Sequence, residues 1–184
     1  MNKEQYVAMF QEVGGLAYDM MEQFFLPEAN KVPVKIIYLP TFCGGDDGIA
    51  ELKYEKEGDS GFDLRAAMND AGGYQVAPQS TVAIPTGIKV AIPIGTELQV
   101  RTRSGSPLKR GFNVANSPGT VDSGYRGEIG VLVYNLSDEI VEIECGERIA
   151  QGVLCPVFQA EFIEVDELDE TERGEGAFNS TGVR

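Results

Sequence analysis

No histidine occurs in the 184 residues, and the three cysteines, Cys43, Cys145 and Cys155, form no CxxC pair. Both absences argue against a zinc site of nitrogen and sulfur ligands, and an odd number of scattered thiols reads as reduced and buried. Bases are scarce as well: 15 Lys and Arg stand against 29 Asp and Glu, a formal charge of −14. That balance gives no sequence-independent hold on the phosphates of DNA or RNA, so no nucleic-acid partner is expected. An anionic small molecule is still allowed, because a local cluster of cations outweighs an unfavourable net field at short range. Arg101, Arg103, Lys109 and Arg110 fall within ten residues. No apolar run approaches the ~18 residues that span a bilayer, and the acid-bearing stretch MNKEQYVAMFQEVGG lacks a signal peptide's apolar core. The expectation is a soluble, cytoplasmic protein with no membrane partner. Common phosphate signatures are missing too: there is no GxxxxGK(S/T), and no GxGxxG leads from a strand into a helix.

What is present fills one core, at 42% hydrophobic, and divides into three stretches. Tyr6, Met9, Phe10, Val13, Ala17, Met20, Met21 and Phe24 recur at three- and four-residue steps, which predicts one face of a helix. Gly14 and Gly15 bend or break it, and Pro27 ends it. Residues 1–30 are expected to form a helical extension whose apolar face packs on the protein's own body or a neighbouring subunit, or docks a protein partner. From Lys31 short β-type runs take over, such as KVPVKIIYLP, STVAIPTGIKVAIPIGT, TELQVRTR, GEIGVLVYNLS, EIVEIECGERIAQGVLCPV and AEFIEV. Ile88, Val90 and Ile92 share one strand face, as do Val131 and Val133. Many short strands with frequent turns predict an all-β body over residues 31–165, a sandwich, jelly roll or small barrel. Within it, Thr41 to Ser60 reads as a long polar surface excursion, whose GGDDG lacks the spaced oxygens of a calcium loop. Residues 166–184 have the composition of a flexible tail. Yet Arg173, Phe178, Ser180 and Thr181 are the residue types that hold a phosphate and stack on a base.

Five short segments carry the chemistry: SGFDLRAA from Ser60, RSGS from Arg103, NSPGTVDSGYRGEIGVLVYN from Asn116, GERIAQ from Gly146 and RGEGAFNSTG from Arg173. Any one alone is an ordinary strand or turn. Together, in this order and spacing, they resemble the five motifs of the homotrimeric dUTPases, and the match runs from about Lys31 to the last residue. The resemblance implies a jelly-roll-like distorted β-barrel and hydrolysis of dUTP to dUMP and pyrophosphate in sites shared among three chains. It gives Asp122, in the Gly-rich bend VDSGYRG, the part of general base toward a water that attacks the α-phosphorus. Gly119 and Gly124 would supply unusual backbone geometry there. Asn116 and the backbone of Gly119, Thr120 and Val121 would read the uracil edge, Tyr125 would lie beneath the deoxyribose, and Gly130 would admit the backbone to the ligand.

The same resemblance gives Arg103, Ser104 and Gly105 to the phosphates, and gives Asp63 and Gln151 to the waters around a magnesium ion (Mg2+). Arg173, Phe178, Asn179, Ser180 and Thr181 would belong to an arm, residues 166–184, that closes over the nucleotide. Three departures stand out: Ala177 and Asn179 where the common motif has glycine, and Gly124 where an acid is frequent. Two other readings accompany this one. A dCTP deaminase of the same fold would need other polar groups around the cytosine amine and no Phe-bearing arm; a non-catalytic protein of the fold would use the helical extension to bind a partner.

Overall fold

Alternation along the chain sets the architecture. Ile88 and Val90 turn inward, and Val131, Val133 and Asn135 do the same while Gly130 and Leu132 face out, the period of two that a half-buried strand requires. A computed structural model of the chain describes residues 31–43, 51–67, 72–171 and 174. The expected helical extension, and Arg173 with residues 175–184 of the expected arm, lie outside the described residues.

Eleven strands and one short helix occur among the described residues. They are β1 (Lys35–Tyr38), β2 (Phe62–Arg65), β3 (Gly73–Val76), β4 (Thr81–Pro85), β5 (Ile88–Ala91), β6 (Thr96–Arg101), α1 (Ser106–Lys109), β7 (Phe112–Val114), β8 (Gly119–Asp122), β9 (Gly130–Asn135), β10 (Val141–Glu144) and β11 (Arg148–Pro156). Every pairing is antiparallel. The sheets are β1–β5, β3–β10, β4–β9–β7 and the four-stranded β2–β11–β6–β8.

Their inner faces enclose one core, in which Leu64, Ile84, Leu98, Phe112, Val131 and Ile149 are at most 1% exposed; each such side chain contributes about 1.5–3 kcal/mol when fully buried. Asn135 is the largest of three buried polar residues, with Thr86 and Ser106. Its Nδ2 donates to the carbonyls of Val76 and Glu139, and its Oδ1 accepts from the Ser137 backbone and hydroxyl, so no polar atom of the amide is buried without a partner.

Two expectations need correction. AEFIEV is not a strand: beyond Val157, whose N–H donates to the Gly95 carbonyl at 2.9 Å, the run to residue 171 pairs with no strand among the described residues, and Phe162 is 93% exposed. The run has β composition, but a ladder needs a second strand and none of the described residues offers one. The cysteines are free but half-buried rather than buried. No helix among the described residues is long and apolar enough to cross a membrane.

Candidate functional site

The four-stranded sheet places the first group of side chains. Its inner face carries Leu64 of β2 with Leu98 and Val100 of β6, so Asp63, one residue from Leu64, must face outward. Asp63 is the Cα partner of Gln151 on β11, so the two residues expected around a magnesium ion stand side by side. Between Arg148 and Ala150 the register shifts: one extra residue is accommodated, and Ile149 and Ala150 are both buried. This bulge turns Arg148, three residues before Gln151, onto the same outward face. The Asp63 carboxylate is held from two sides, by Arg103 Nε at 2.7 Å and Arg148 Nε at 3.0 Å. Gly61 gives Gln151 its room, since a Cβ there would lie 2.8 Å from Gln151 Oε1.

RSGS leaves β6 as a turn that enters α1, with Ser104 exposed and Gly105 at the cap. Thr102 anchors it: Gln151 Nε2 donates to the Thr102 carbonyl at 3.1 Å, Thr102 N–H donates to Ser117 Oγ at 3.0 Å, and Thr102 Oγ1 accepts from Val114 N–H at 3.0 Å. Arg103, Ser104 and Gly105 therefore share one open depression with Asp63, Arg148 and Gln151. Of the four cations expected to cluster, Arg103, Lys109 and Arg110 line it, Arg110 being paired with Glu147 at 2.9 Å. Arg101 does not. It is a β6 residue bonded to Gln99 and reaching Cys155 Sγ. Arg148, which sequence reasoning passed over within GERIAQ, takes its place as the second cation on Asp63; only the bulge reveals it.

The second group lies on β8 and the loop that follows. Asp122 is the last residue of β8 and is exposed, and its carbonyl accepts from Tyr125 N–H at 3.0 Å to close the turn. Tyr125 is 46% exposed, yet its hydroxyl donates to the Glu128 carbonyl at 3.0 Å. A Cβ at Gly127 would collide with the Tyr125 Oη and Cζ atoms, so this glycine, missed in the sequence, is what lets the ring lie down. The loop is fastened at its base, where Thr86 N–H and Oγ1 both donate to the Ile129 carbonyl and Gly87 N–H donates to Glu128 Oε1.

Gly119 serves close packing rather than an unusual backbone: its φ is not positive, and a Cβ would lie 3.0 Å from Asn116 Nδ2. Gly124 and Gly130 have open space where a Cβ would go. Thr120, Val121, Asp122, Tyr125 and Gly130 border one small depression of their own, and Asn116 stands beside it against Gly119. Phe178, Asn179, Ser180 and Thr181, like Arg173, lie outside the described residues.

The two groups stand on one face of one sheet but at opposite corners. Asp63 faces Gln151, Gln151 faces Arg101, and four residues back along β6 Glu97 faces Asp122. Strands ~4.8 Å apart with a rise of ~3.3 Å per residue put Asp63 and Asp122 roughly 20 Å apart.

No three His, Cys, Asp or Glu side chains converge as a metal site among the described residues. Direct ligation of an ion by the protein therefore finds no donor set, whereas the adjacent oxygens of Asp63 and Gln151 suit an ion that keeps its waters and rides on a ligand's phosphates. With both arginines in place, the Asp63 carboxylate retains lone pairs for such waters.

The comparisons with known proteins point one way. The family model described as dUTPase matches residues 48–182. The deoxyuridine 5'-triphosphate nucleotidohydrolase of Fusobacterium nucleatum is 49% identical over 153 residues, covering 83% of this chain and 99% of the relative. Among solved structures, a mutant dUTPase of Staphylococcus bacteriophage 80alpha with dUpNHpp aligns at a TM-score of 0.69 and 26% identity, covering 82% of this chain and 99% of that one. A mutant dUTPase of S. aureus phage phi11, reported for coordination of a structural Mg(II) ion, shares the fold at a TM-score of 0.61 and 22% identity, over 75% of this chain and 99% of that one. Given a model match across most of the β body and a relative half identical along nearly its whole length, the chain belongs to the dUTPase family.

Proposed function

We propose that the chain hydrolyses dUTP to dUMP and pyrophosphate in sites that each draw on several copies of it, assembled as a homotrimer. The observation that carries the reading is the separation of Asp122 from the phosphate side chains in a chain of this family. A carboxylate, a water and the phosphorus it attacks span only about 6 Å when each neighbour is ~3 Å away. The roughly 20 Å between Asp122 and Asp63 across the sheet supports sites in which Asp122 of one copy stands beside Ser104 and Asp63 of another.

In the assembled site Asp122 accepts a proton from water as the water oxygen bonds to the α-phosphorus. The bond from that phosphorus to the bridging oxygen breaks, and pyrophosphate leaves. Ser104, the Gly105 backbone and Arg103 hold the α- and β-phosphate oxygens. Asp63 and Gln151 hold the water shell of a magnesium ion, which when bound supplies positive charge against the leaving group. Asn116, packed on Gly119, reads the uracil edge with the backbone of Thr120 and Val121. Tyr125, already tied down through its hydroxyl, presents a fixed ring to the deoxyribose and leaves no room for a 2′-hydroxyl; such preorganisation is what a selective site needs. Gly130 keeps the backbone bare toward the ligand. Residues 166–184 are the arm, with Arg173 on the γ-phosphate, Phe178 over the base, and Asn179, Ser180 and Thr181 closing on the phosphates. Residues 1–30 form a helical extension to this body, with an apolar face for a neighbouring subunit or a protein partner.

Purified protein with magnesium should release pyrophosphate from dUTP and barely act on dTTP, dCTP or UTP. Equal turnover of all four, or ammonia released from dCTP, would overturn the reading.

A further inference from the structure

A cluster that plays no part in this reaction lies between the two groups. Cys43 follows β1 on a segment pressed against the β4–β5 turn: Leu39 N–H donates to the Gly87 carbonyl at 2.8 Å, and a Cβ on Gly87 would stand 2.5 Å from Phe42 Cα. Cys145 sits in the β10–β11 turn, where Gly146 N–H donates to the Ala66 carbonyl at 2.8 Å and Glu147 N–H to the Glu144 carbonyl at 3.1 Å. Far apart in sequence, both line the depression that holds Asp63 and Arg103, and Cys145 is near enough to help raise the Cys43 thiol above its ordinary pKa. Both are free and partly open to solvent. Tyr74 of β3 and Glu128 complete the surroundings: the Tyr74 hydroxyl donates to the Ala67 carbonyl at 3.0 Å, and Glu128 accepts from Gly87 N–H at 2.8 Å.

We propose that Cys43 and Cys145 form a redox-active dithiol that closes to an intramolecular disulfide and, in closing, slows hydrolysis at the neighbouring site. The first half stands on the cluster alone; the second rests on the dUTP reading. With a hydroperoxide as oxidant, one thiolate attacks the peroxide oxygen, giving a sulfenic acid and, from hydrogen peroxide, water. The second sulfur displaces the sulfenic hydroxyl as another water. The two thiols lose two protons and two electrons in all, and an S–S bond forms as the O–O bond is lost. Burial, reinforced by the neighbouring Cys145, raises the Cys43 thiol above its ordinary pKa.

Closure has a mechanical consequence because two non-bonded sulfurs must approach to about 2.05 Å in a disulfide. The turn that moves with Cys145 leads directly into Arg148, which holds Asp63. The segment that moves with Cys43 presses on Gly87, which is bonded to Glu128, and the Glu128 carbonyl holds Tyr125. Both halves of the site are thus within one or two contacts of the dithiol, and ångström-scale misplacement of positioning groups costs about tenfold or more in rate.

The test treats the full chain with hydrogen peroxide, blocks remaining thiols with N-ethylmaleimide and maps peptides by mass spectrometry. The expected product is a Cys43–Cys145 cross-link with Cys155 alkylated, reversed by dithiothreitol, and accompanied by a fall in dUTP turnover of at least about tenfold, the scale for displaced positioning groups. Cys43→Ser and Cys145→Ser should keep basal turnover and lose the sensitivity, while Cys155→Ser should keep both. Three alkylated cysteines, or only cross-links between chains, would overturn the dithiol. A complete cross-link with unchanged turnover would overturn the switch while leaving the dithiol standing, and a chain inactive on dUTP even when reduced would overturn the hydrolase reading and the switch with it, without touching the cross-link.

Discussion

Asp122 does its proposed work as a lone exposed carboxylate at the end of a strand, so replacing it should separate chemistry from binding. Asp122→Asn keeps the size of the side chain and its turn, and we expect nucleotide affinity within a few-fold of the parent while turnover falls by at least ~10²-fold, the scale of a lost general base; single-turnover kinetics beside equilibrium titration will show it. Gly127→Ala tests the opposite corner of specificity. The added methyl meets Tyr125 Oη and Cζ, so the ring must lift, and we expect KM for dUTP to rise about tenfold and discrimination against UTP to weaken. Asp122, Tyr125 and Gln151 were legible in the sequence because their segments keep a recognisable wording. Arg148 and Gly127 were not: the first reaches Asp63 only through a bulge in β11, and the second matters only because the Tyr125 ring folds back over it. Contacts made across the fold leave no mark on local sequence.

At the level of elements, the strands that could be read in advance were those with one buried and one open face, where β5 and β9 show their period over four to six residues. β2 and β8, which carry Asp63 and Asp122, are four residues each and are recognisable only by the company of their motifs. The β4–β5 turn links the remaining pieces. Gly87 has φ of +71° and its missing Cβ makes room for the backbone of Phe42, while its N–H and carbonyl serve Glu128 and Leu39. Gly87→Ala combines a strained φ with a backbone collision, and we expect it to cost about 2–3 kcal/mol, visible as a lower midpoint in thermal or urea unfolding. A neutral result would mean that the 39–43 segment can leave the turn freely.

At the scale of the whole molecule, the segment after β11 is informative because it failed to become the strand that its composition suggests. Phe158, Phe162, Ile163 and Leu168 are mostly exposed on a stretch that pairs with no strand among the described residues. An exposed apolar strip of that kind marks a contact surface, and it lies on the way to residues 173–184, which the proposal carries to another copy. Removing residues 173–184 should therefore leave the oligomer intact by light scattering and abolish efficient hydrolysis, since the strip remains and the arm is gone. Dissociation on truncation would make the arm structural.

The claim on which the rest depends is that Asp122 and the phosphate-holding residues of one site come from different chains, and mixing defective chains tests it most directly. Asp122→Asn and Ser104→Ala chains, each nearly inactive alone, are to be co-expressed in equal amounts, and pyrophosphate release from dUTP measured on the mixed assemblies. Sites formed between chains give an intact Asp122 beside an intact Ser104 in about one interface in four under random cyclic assembly, so activity should return to about a quarter of the parent level. Mixed assemblies no more active than the two variants measured separately would place the whole site within one chain and contradict the account.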